Sequence, residues 1–174
     1  MPYAAELPSS GVIPGSWSAN VAPAPEARQT RAMDDLLTPP FDTKIAVVVR
    51  DDLEVWQRLN VTAFLISGVT AAHPELVGEP YADAAGRTYL ALLGMPVLIF
   101  EGTPSAVAAA HERAVRRRTP LAIYTKDMFT TGHDAANRQV VATAPSDALD
   151  LVGLALHAPK NTVDRIVKGT RLHH

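Results

Sequence analysis

The stretch from Asp127 to His133 holds side chains that can take part in catalysis. Asp127 can orient or deprotonate a water molecule, and the hydroxyl of Thr130 or Thr131 can hold a carbonyl or phosphate oxygen. His133 can act as an acid or a base near neutral pH. The alternative is a solvated loop whose side chains make only local turn hydrogen bonds. We therefore treat the Asp and the two Thr as candidate catalytic residues and His133 as a candidate substrate-binding residue.

A second group of polar residues follows the first predicted strand. Arg50, Asp51 and Asp52 come directly after an apolar run, and Asn60 lies within the apolar segment that follows. Ligands of open α/β sheets bind at the carboxyl ends of strands, and we expect the strand ends after Arg50 and Tyr124 to lie close together. Asp51 and Asp52 can equally cap a helix, and Asn60 can equally be a hydrogen-bonded core amide. Arg50, Asp52 and Asn60 are the candidate substrate-binding residues of this group.

Motifs for cofactor and metal chemistry are absent from the sequence. There is no glycine-rich phosphate loop with lysine, no dinucleotide fingerprint and no Gly-x-Ser-x-Gly motif. The chain has no cysteine, which excludes a disulfide scaffold and a thiolate zinc site. His111 and Glu112 begin like a zinc-protease helix, but Val115 stands where the second histidine ligand is needed. We therefore expect no metal site and no cofactor.

Alternating strands and helices must position these residues. Apolar runs rich in β-branched side chains predict four strands, over residues 44–50, 96–100, 121–124 and 151–156. Helices are predicted over residues 55–68, after the N-cap Thr103 with Pro104 at the first helical position, and between Pro159 and Gly169. This alternation favours an α/β fold, a three-layer sandwich.

Two finer expectations concern the elements around the candidate site. The spacing of apolar residues predicts that the first helix buries one face. That face consists of Trp56, Leu59, Ala63 and Ile66. Residues 126–138 are predicted to be a polar loop, followed by a short edge strand over 139–141, and residues 81–89 a hairpin that turns at 83–86.

The distribution of proline divides the chain. Seven of its 14 prolines lie in the first 40 of 174 residues. We therefore expect a Pro-rich N-terminal arm over residues 1–40 and an α/β domain over residues 41–174. The sequence has no signal peptide and no apolar stretch long enough to span a bilayer, which favours a cytoplasmic protein with no membrane partner.

The charge pattern bears on nucleic acid as a partner. The chain carries 16 basic and 18 acidic residues, a net charge of −2. Basic residues still cluster in its second half, at Arg113, Arg116, Arg117, Arg118, Lys160, Arg165, Lys168 and Arg171. Such a cluster is either a polyanion-binding patch or a set of solvated helix ends. We favour the helix ends and do not expect a nucleic-acid partner.

Three segments resemble a known superfamily. Residues 44–53 resemble the first strand and exit loop of the type II peptidyl-tRNA hydrolases, and residues 154–159 and 163–169 resemble their last strand, turn and final helix. The chain resembles more closely an uncharacterised bacterial family of unknown function that shares this fold, through the Asp-Ala-x-Gly hairpin and the spacing of Pro145, Leu149 and Gly153. The resemblance implies a four-stranded mixed sheet with helices on both faces, and a homodimer.

The same resemblance leads to two hypotheses of function. The hydrolases carry a Gly-Lys pair where this chain has Arg58-Leu59, so their usual lysine is missing, while Asp127 matches the Asp of a second motif. The first hypothesis is a hydrolase that acts on an ester or amide of aminoacyl or peptidyl type, using Asp127 with a threonine. The second is a non-catalytic dimeric module that binds a small molecule or a protein. The sequence does not decide whether the protein is an enzyme.

Overall fold

The computed structural model describes residues 41–173 of the chain. These residues form a mixed β-sheet with helices on both faces, so the predicted α/β class is confirmed. The expected Pro-rich arm over residues 1–40 lies outside the described residues. Within residues 41–173, no helix has both the length and the apolar character needed to cross a membrane.

The secondary structure alternates between strands and helices. The strands are β1 (Thr43–Arg50), β2 (Tyr81–Ala82), β3 (Thr88–Tyr89), β4 (Val97–Gly102), β5 (Ala122–Thr125), β6 (Leu151–Pro159) and β7 (Arg171–Leu172). The α-helices are α1 (Val55–Ala72), α2 (Pro104–Arg116), α3 (Asp134–Ala142) and α4 (Lys160–Ile166). Short 3-10 helices cover Pro74–Leu76 and Lys126–Thr130.

The main sheet brings three strand ends to one edge. Its order is β5-β6-β1-β4-β7, with β1 parallel to β4 and β6 antiparallel to both β1 and β5. The strands β1, β4 and β5 therefore run in one direction, and their carboxyl ends define what we call the carboxyl edge. Backbone hydrogen bonds join this edge, since Asp51 N–H donates to the Gly102 carbonyl (3.0 Å) and Lys126 N–H to the Asp150 carbonyl (2.8 Å).

The sheet has five strands, so the predicted four-stranded sheet is wrong by one strand. The additional strand is β7, which pairs antiparallel with β4 and sets Arg171 opposite Glu101. The chain turns back towards β4 at Gly169, whose φ of +90° is a left-handed conformation that glycine adopts without a steric penalty. A strand of two residues is too short to show an alternating pattern, which is why the sequence does not reveal it.

The centre of the core is formed by β1 and β6. Residues 45–49 of β1 are at most 1% exposed. Successive side chains of a strand point to opposite faces, so Ala46 and Val48 pack on the side of α2 and α4, and Val47 and Val49 on the side of α1. Burial of each of these valines stabilises the fold by about 1.5–3 kcal/mol. Because both faces of β1 are covered, its sequence is an unbroken apolar run, as predicted.

The buried face of α1 differs from the predicted one. The helix packs on the sheet through Val61, Leu65 and Val69. Of the predicted face, Trp56 is 59% exposed and Leu59 is 68% exposed. The helix is apolar on several sides, so the spacing of its apolar residues fits more than one face. The prediction is therefore wrong for Trp56 and Leu59, which form an exposed apolar surface, whereas Ile66 is half-buried against the core.

The segment after β5 is helical, which corrects a second expectation. Residues 126–130 form a 3-10 helix, and the residues expected to form an edge strand belong to α3. The ring nitrogen Nδ1 of His133 accepts the Ala136 N–H at 3.3 Å and so caps α3. Asp134 and Arg138 form an ion pair one helical turn apart along it. Local capping and pairing thus form a helix where the polar composition indicated a loop.

The predicted hairpin turn and the predicted N-cap Thr103 are confirmed, whereas the N-cap of α1 is Glu54 and not Asp51 or Asp52. The hairpin of β2 and β3 turns at Gly86, which has a φ of +82°, and the Asp83 carboxylate accepts two backbone N–H groups there. Thr103 caps α2 by accepting the Ala106 N–H at 3.2 Å. Proline occupies the first position of that helix, where its missing N–H leaves no hydrogen bond unmade.

Candidate functional site

Two of the predicted binding residues are paired with each other at the carboxyl edge. The Arg50 guanidinium donates to both Asp52 oxygens (2.8 and 2.5 Å) and to Asp150 (2.8 Å). Hydrogen bonding from Arg50 holds the pKa of the Asp52 carboxyl below its usual range, and the same bond raises the pKa of Arg50. Both side chains therefore stay charged, and their charges and hydrogen-bonding groups are paired within the cluster. This arrangement ties the start of the β1–α1 loop to the segment before β6.

A second ionic cluster at the carboxyl edge centres on Glu101, which sequence reasoning missed. Its carboxylate accepts from Arg171 at 2.7 Å, from His173 at 3.0 Å and from Arg58 at 3.3 Å. The hydrogen bond from Arg171 is the main cause of a lowered pKa at Glu101. Strand β7 brings Arg171 and the following His173 to Glu101, while Arg58 comes from α1. Their separation along the chain gave no signal in the sequence.

Arg58 and Leu59 stand where the resembled hydrolases carry a Gly-Lys pair. The Arg58 guanidinium donates to the backbone carbonyls of Leu53 at 2.9 Å and Asp51 at 2.8 Å, besides its contact with Glu101. These bonds hold the loop between β1 and α1 in place. The side chain thus acts as a structural tether for the carboxyl edge.

The candidate catalytic residues follow β5. Asp127 is exposed, and its carboxylate forms no ion pair with any residue in 41–173. The Thr130 hydroxyl donates to the Asp127 carbonyl, and the Thr131 hydroxyl to the Met128 carbonyl, both at 2.8 Å. Thr131 also hydrogen-bonds to Asn137 of α3. Both hydroxyls therefore make the local turn bonds that were the alternative interpretation.

An aromatic cleft lies between α1 and the segment 126–142. Four aromatic rings line it, and each contacts the next. The ring centroids are 5.8 Å apart for Trp56–Phe129, 5.2 Å for Phe129–Tyr124 and 5.9 Å for Tyr124–Phe64. Each pair is tilted or edge-to-face, which is the favourable geometry for aromatic rings. Trp56 and Phe64 are both more than half exposed, while Tyr124 is 6% exposed. The described cleft therefore has a buried aromatic floor and exposed aromatic rims.

Polar groups from the predicted site lie in this cleft. Asn60, Thr131 and His133 line a part of about 270 Å³, and the adjoining part of about 610 Å³ runs along α1 towards Ala142. Burial raises the pKa of the Tyr124 hydroxyl, and hydrogen bonding with the Asn60 side chain acts in the opposite direction. The structure thus brings three of the seven predicted residues together and places Arg50 and Asp52 in a separate ion-paired cluster.

One further group of side chains has the composition of a metal site. His73, Glu75 and His157 offer ligand atoms that all lie within 4.8 Å of one another. His73 and His157 border a cavity of about 260 Å³ between the end of α1 and Leu121. Burial, followed by the nearby His73, lowers the pKa of His157. None of the three residues was a candidate at the level of sequence, where no metal ligand was assigned.

The fold and cleft define a small α/β protein with a mixed five-stranded sheet. The family model described as "Protein of unknown function (DUF2000)" matches residues 43–174, and the chain belongs to this family. A solved structure of a protein of unknown function from Agrobacterium tumefaciens strain C58 is 48% identical, with a TM-score of 0.76. The match covers 77% of this chain and 99% of that one. Comparison with curated proteins gives no significant match.

These relationships confirm the expectation of an uncharacterised family. Neither the family nor the Agrobacterium protein is described with an activity, so the comparisons establish ancestry and fold without assigning a reaction. The matched range begins at β1, after the proline-rich stretch. The resemblance to peptidyl-tRNA hydrolases stays an expectation drawn from the sequence.

Proposed function

We propose that the protein binds a small molecule with a flat apolar group in the aromatic cleft and does not transform it. The observation that carries this proposal is the exposure of two large aromatic side chains at the rim, 59% for Trp56 and 54% for Phe64. Exposed aromatic rings beside a concave surface are typical of ligand sites, because a ligand covers them from water. The larger part of the cleft, about 610 Å³, lies within the usual size range of such sites.

The polar side chains of the cleft indicate what else the ligand carries. Asn60 and Asn137 both line it, and amide side chains pair well with a carbonyl or amide group. His133 accepts a backbone N–H through Nδ1, so the proton of its neutral ring is on Nε2. We therefore infer a ligand with an aromatic ring and a neutral carbonyl group, as in an N-acylated aromatic amino acid.

Hydrolysis of an aminoacyl ester or amide is the second candidate function. It is favoured by Asp127, whose exposed carboxylate has no ion-pair partner within residues 41–173 and is free to act as a base on water. It is disfavoured by Thr130 and Thr131, whose hydroxyls are committed to backbone carbonyls. Binding without turnover is for this reason the preferred function.

One probe distinguishes the two functions. N-acetylphenylalanine methyl ester carries the ring, the amide and a cleavable ester, so NMR can follow binding through the backbone amides and hydrolysis through released methanol. We expect binding at the cleft, with methanol release at the uncatalysed rate. Catalysed release that is abolished by Asp127→Ala would establish the hydrolase instead.

A pair of variants tests the location of binding. Trp56→Ala removes an exposed rim ring and should weaken binding by about tenfold or more. Leu90→Ala is the matched control, because Leu90 is 88% exposed and lies outside the cleft. Equal affinity of Trp56→Ala and wild type would contradict the proposed site.

A further inference from the structure

Three potential metal ligands converge where α1 ends on the sheet. His73 directly follows α1, Glu75 lies in the 3-10 helix Pro74–Leu76, and His157 lies on β6 on the α1 face of the sheet. The geometry points to a binding site for a divalent transition-metal ion, held by His73, Glu75 and His157. This site is separate from the aromatic cleft and does not depend on the function proposed for it.

The spacing of the ligand atoms suits one ion. His73 Nδ1 lies 3.0 Å from Glu75 Oε1, and all three ligand atoms lie within 4.8 Å of one another. Ligands at about 2.0–2.2 Å from a tetrahedral zinc ion lie roughly 3.3–3.6 Å apart. The Glu75 side chain is 65% exposed, so it can move by the small distance needed.

His157 gives independent support for a ligand at this point. Its Nε2 is buried and has no hydrogen-bond partner within residues 41–173. Its ring meets that of His73 edge-on, with the centroids 4.7 Å apart. Buried ring nitrogens are normally paired, and an unpaired one calls for an explanation such as a bound ion. A metal ion shared with His73 would provide the missing partner.

The backbone positions of His73 and His157 are fixed before any ion binds. His73 N–H donates to the Val69 carbonyl at 2.9 Å, and the His73 carbonyl accepts Leu76 N–H at 3.1 Å. His157 is fixed by the pairing of β6 with β1, where it lies opposite Ile45. A site built on paired elements loses little conformational freedom when it binds metal.

The ligand set also restricts the kind of metal. Two imidazoles and one carboxylate favour zinc and the neighbouring first-row ions over magnesium or calcium, which prefer oxygen ligands. Three protein ligands leave a fourth position of a tetrahedral ion open. The adjoining cavity of about 260 Å³, lined by Ala72, Pro120 and Leu121 among others, gives a water or small ligand access to that position.

The test must remove a competing site at the end of the chain. His173 and His174 are adjacent in sequence and can bind the same ions. The reference protein is therefore the full chain with His173→Gln and His174→Gln, treated with a chelator and dialysed. Titration calorimetry with zinc chloride should give one ion per chain, and cobalt chloride should give the strong visible absorption of a tetrahedral Co²⁺ ion.

Single substitutions in this reference protein locate the ion. His73→Gln, Glu75→Gln and His157→Gln should each weaken zinc binding by more than about tenfold, with unchanged circular dichroism without metal. His111→Gln is the matched control, because His111 lies on α2, and it should bind as the reference does. If His157→Gln fails to fold, Glu75→Gln still tests the site, because the Glu75 side chain is exposed and its replacement should not disturb folding. The proposal would be overturned if the reference protein did not bind zinc. It would also be overturned if Glu75→Gln and His73→Gln bound zinc as tightly as the reference protein does.

Discussion

Gly153 of β6 lies directly against Val61 of α1. A Cβ atom at position 153 would fall 2.7 Å from Val61 Cγ1, and it would also lie 3.1 Å from the Val48 carbonyl oxygen. The strand cannot move away, because Gly153 is paired with Val49 on one side and Tyr124 on the other. The helix that carries one wall of the aromatic cleft is therefore seated on the sheet at a distance that glycine alone allows.

Gly153→Ala should destabilise the protein by about 1–3 kcal/mol, because the added methyl group overpacks the contact between helix and sheet. Urea unfolding followed by circular dichroism measures the change. Gly132→Ala is the matched control, since nothing lies within 4 Å of a Cβ there and its φ is not positive. Similar unfolding midpoints for the two variants would mean that α1 is not held at this close distance.

The buried face of α1 gives a second prediction. Leu65 is 1% exposed and Leu59 is 68% exposed on the same helix. Leu65→Ala should lower the free energy of unfolding by about 2–5 kcal/mol, because it leaves a cavity in the core. Leu59→Ala should change it by less than about 0.5 kcal/mol. Chemical denaturation of both variants checks the pair, and a larger loss for Leu59→Ala would favour the face expected from sequence.

The central strands could be predicted from sequence and the orientation of α1 could not, for a physical reason. Residues 45–49 form an unbroken β-branched run, which only a strand buried on both faces tolerates. In α1, by contrast, apolar residues such as Trp56 and Val61 occur on opposite sides of the helix. Its orientation is decided by Gly153, about 90 residues later, where the sheet has room for Val61 and Leu65. Such a contact leaves no local pattern.

The candidate site was predicted only in part, because local sequence shows which residues follow a strand but not which remote segments meet. Asn60 and His133 lie in the cleft because they follow β1 and β5, whose carboxyl ends meet at one edge. Glu101 and His157 were missed because their partners come from remote segments, β7 for one and the end of α1 for the other. Spacing along the chain can predict site residues that share one helix or strand. It cannot predict site residues that come from remote segments and meet only in the folded sheet.

The Glu101 cluster predicts a dependence of stability on acid. The pKa of Glu101 is lowered from 4.5, chiefly by the hydrogen bond from Arg171. A carboxylate with a lowered pKa contributes stability above its unfolded pKa, and that contribution is lost as the pH falls through its folded pKa. Glu101→Gln should therefore be less stable than wild type at about pH 6, with the difference shrinking below about pH 4.5.

Thermal unfolding of wild type and Glu101→Gln across this pH range measures the effect. Glu79→Gln is the control, because Glu79 is exposed and forms no ion pair with the residues between 41 and 173. It should follow the wild-type curve. A constant difference between Glu101→Gln and wild type at every pH would show that the charge of Glu101 contributes nothing to stability.

His133 has two separable roles in the cleft, as the cap of α3 and as a lining residue. The cap is formed by Nδ1, which accepts the Ala136 N–H. Because α3 has only nine residues, this one hydrogen bond contributes a large part of its stability. His133→Ala should lower the free energy of local unfolding of α3 by about 1 kcal/mol, so that hydrogen exchange in α3 becomes about fivefold faster. His133→Asn should keep the slow exchange, because asparagine is a good cap, while it removes the imidazole from the cleft. Unchanged exchange in His133→Ala would contradict the capping role. Weaker binding of the aromatic ester by His133→Asn, with α3 intact, would assign the imidazole a direct contact with the ligand.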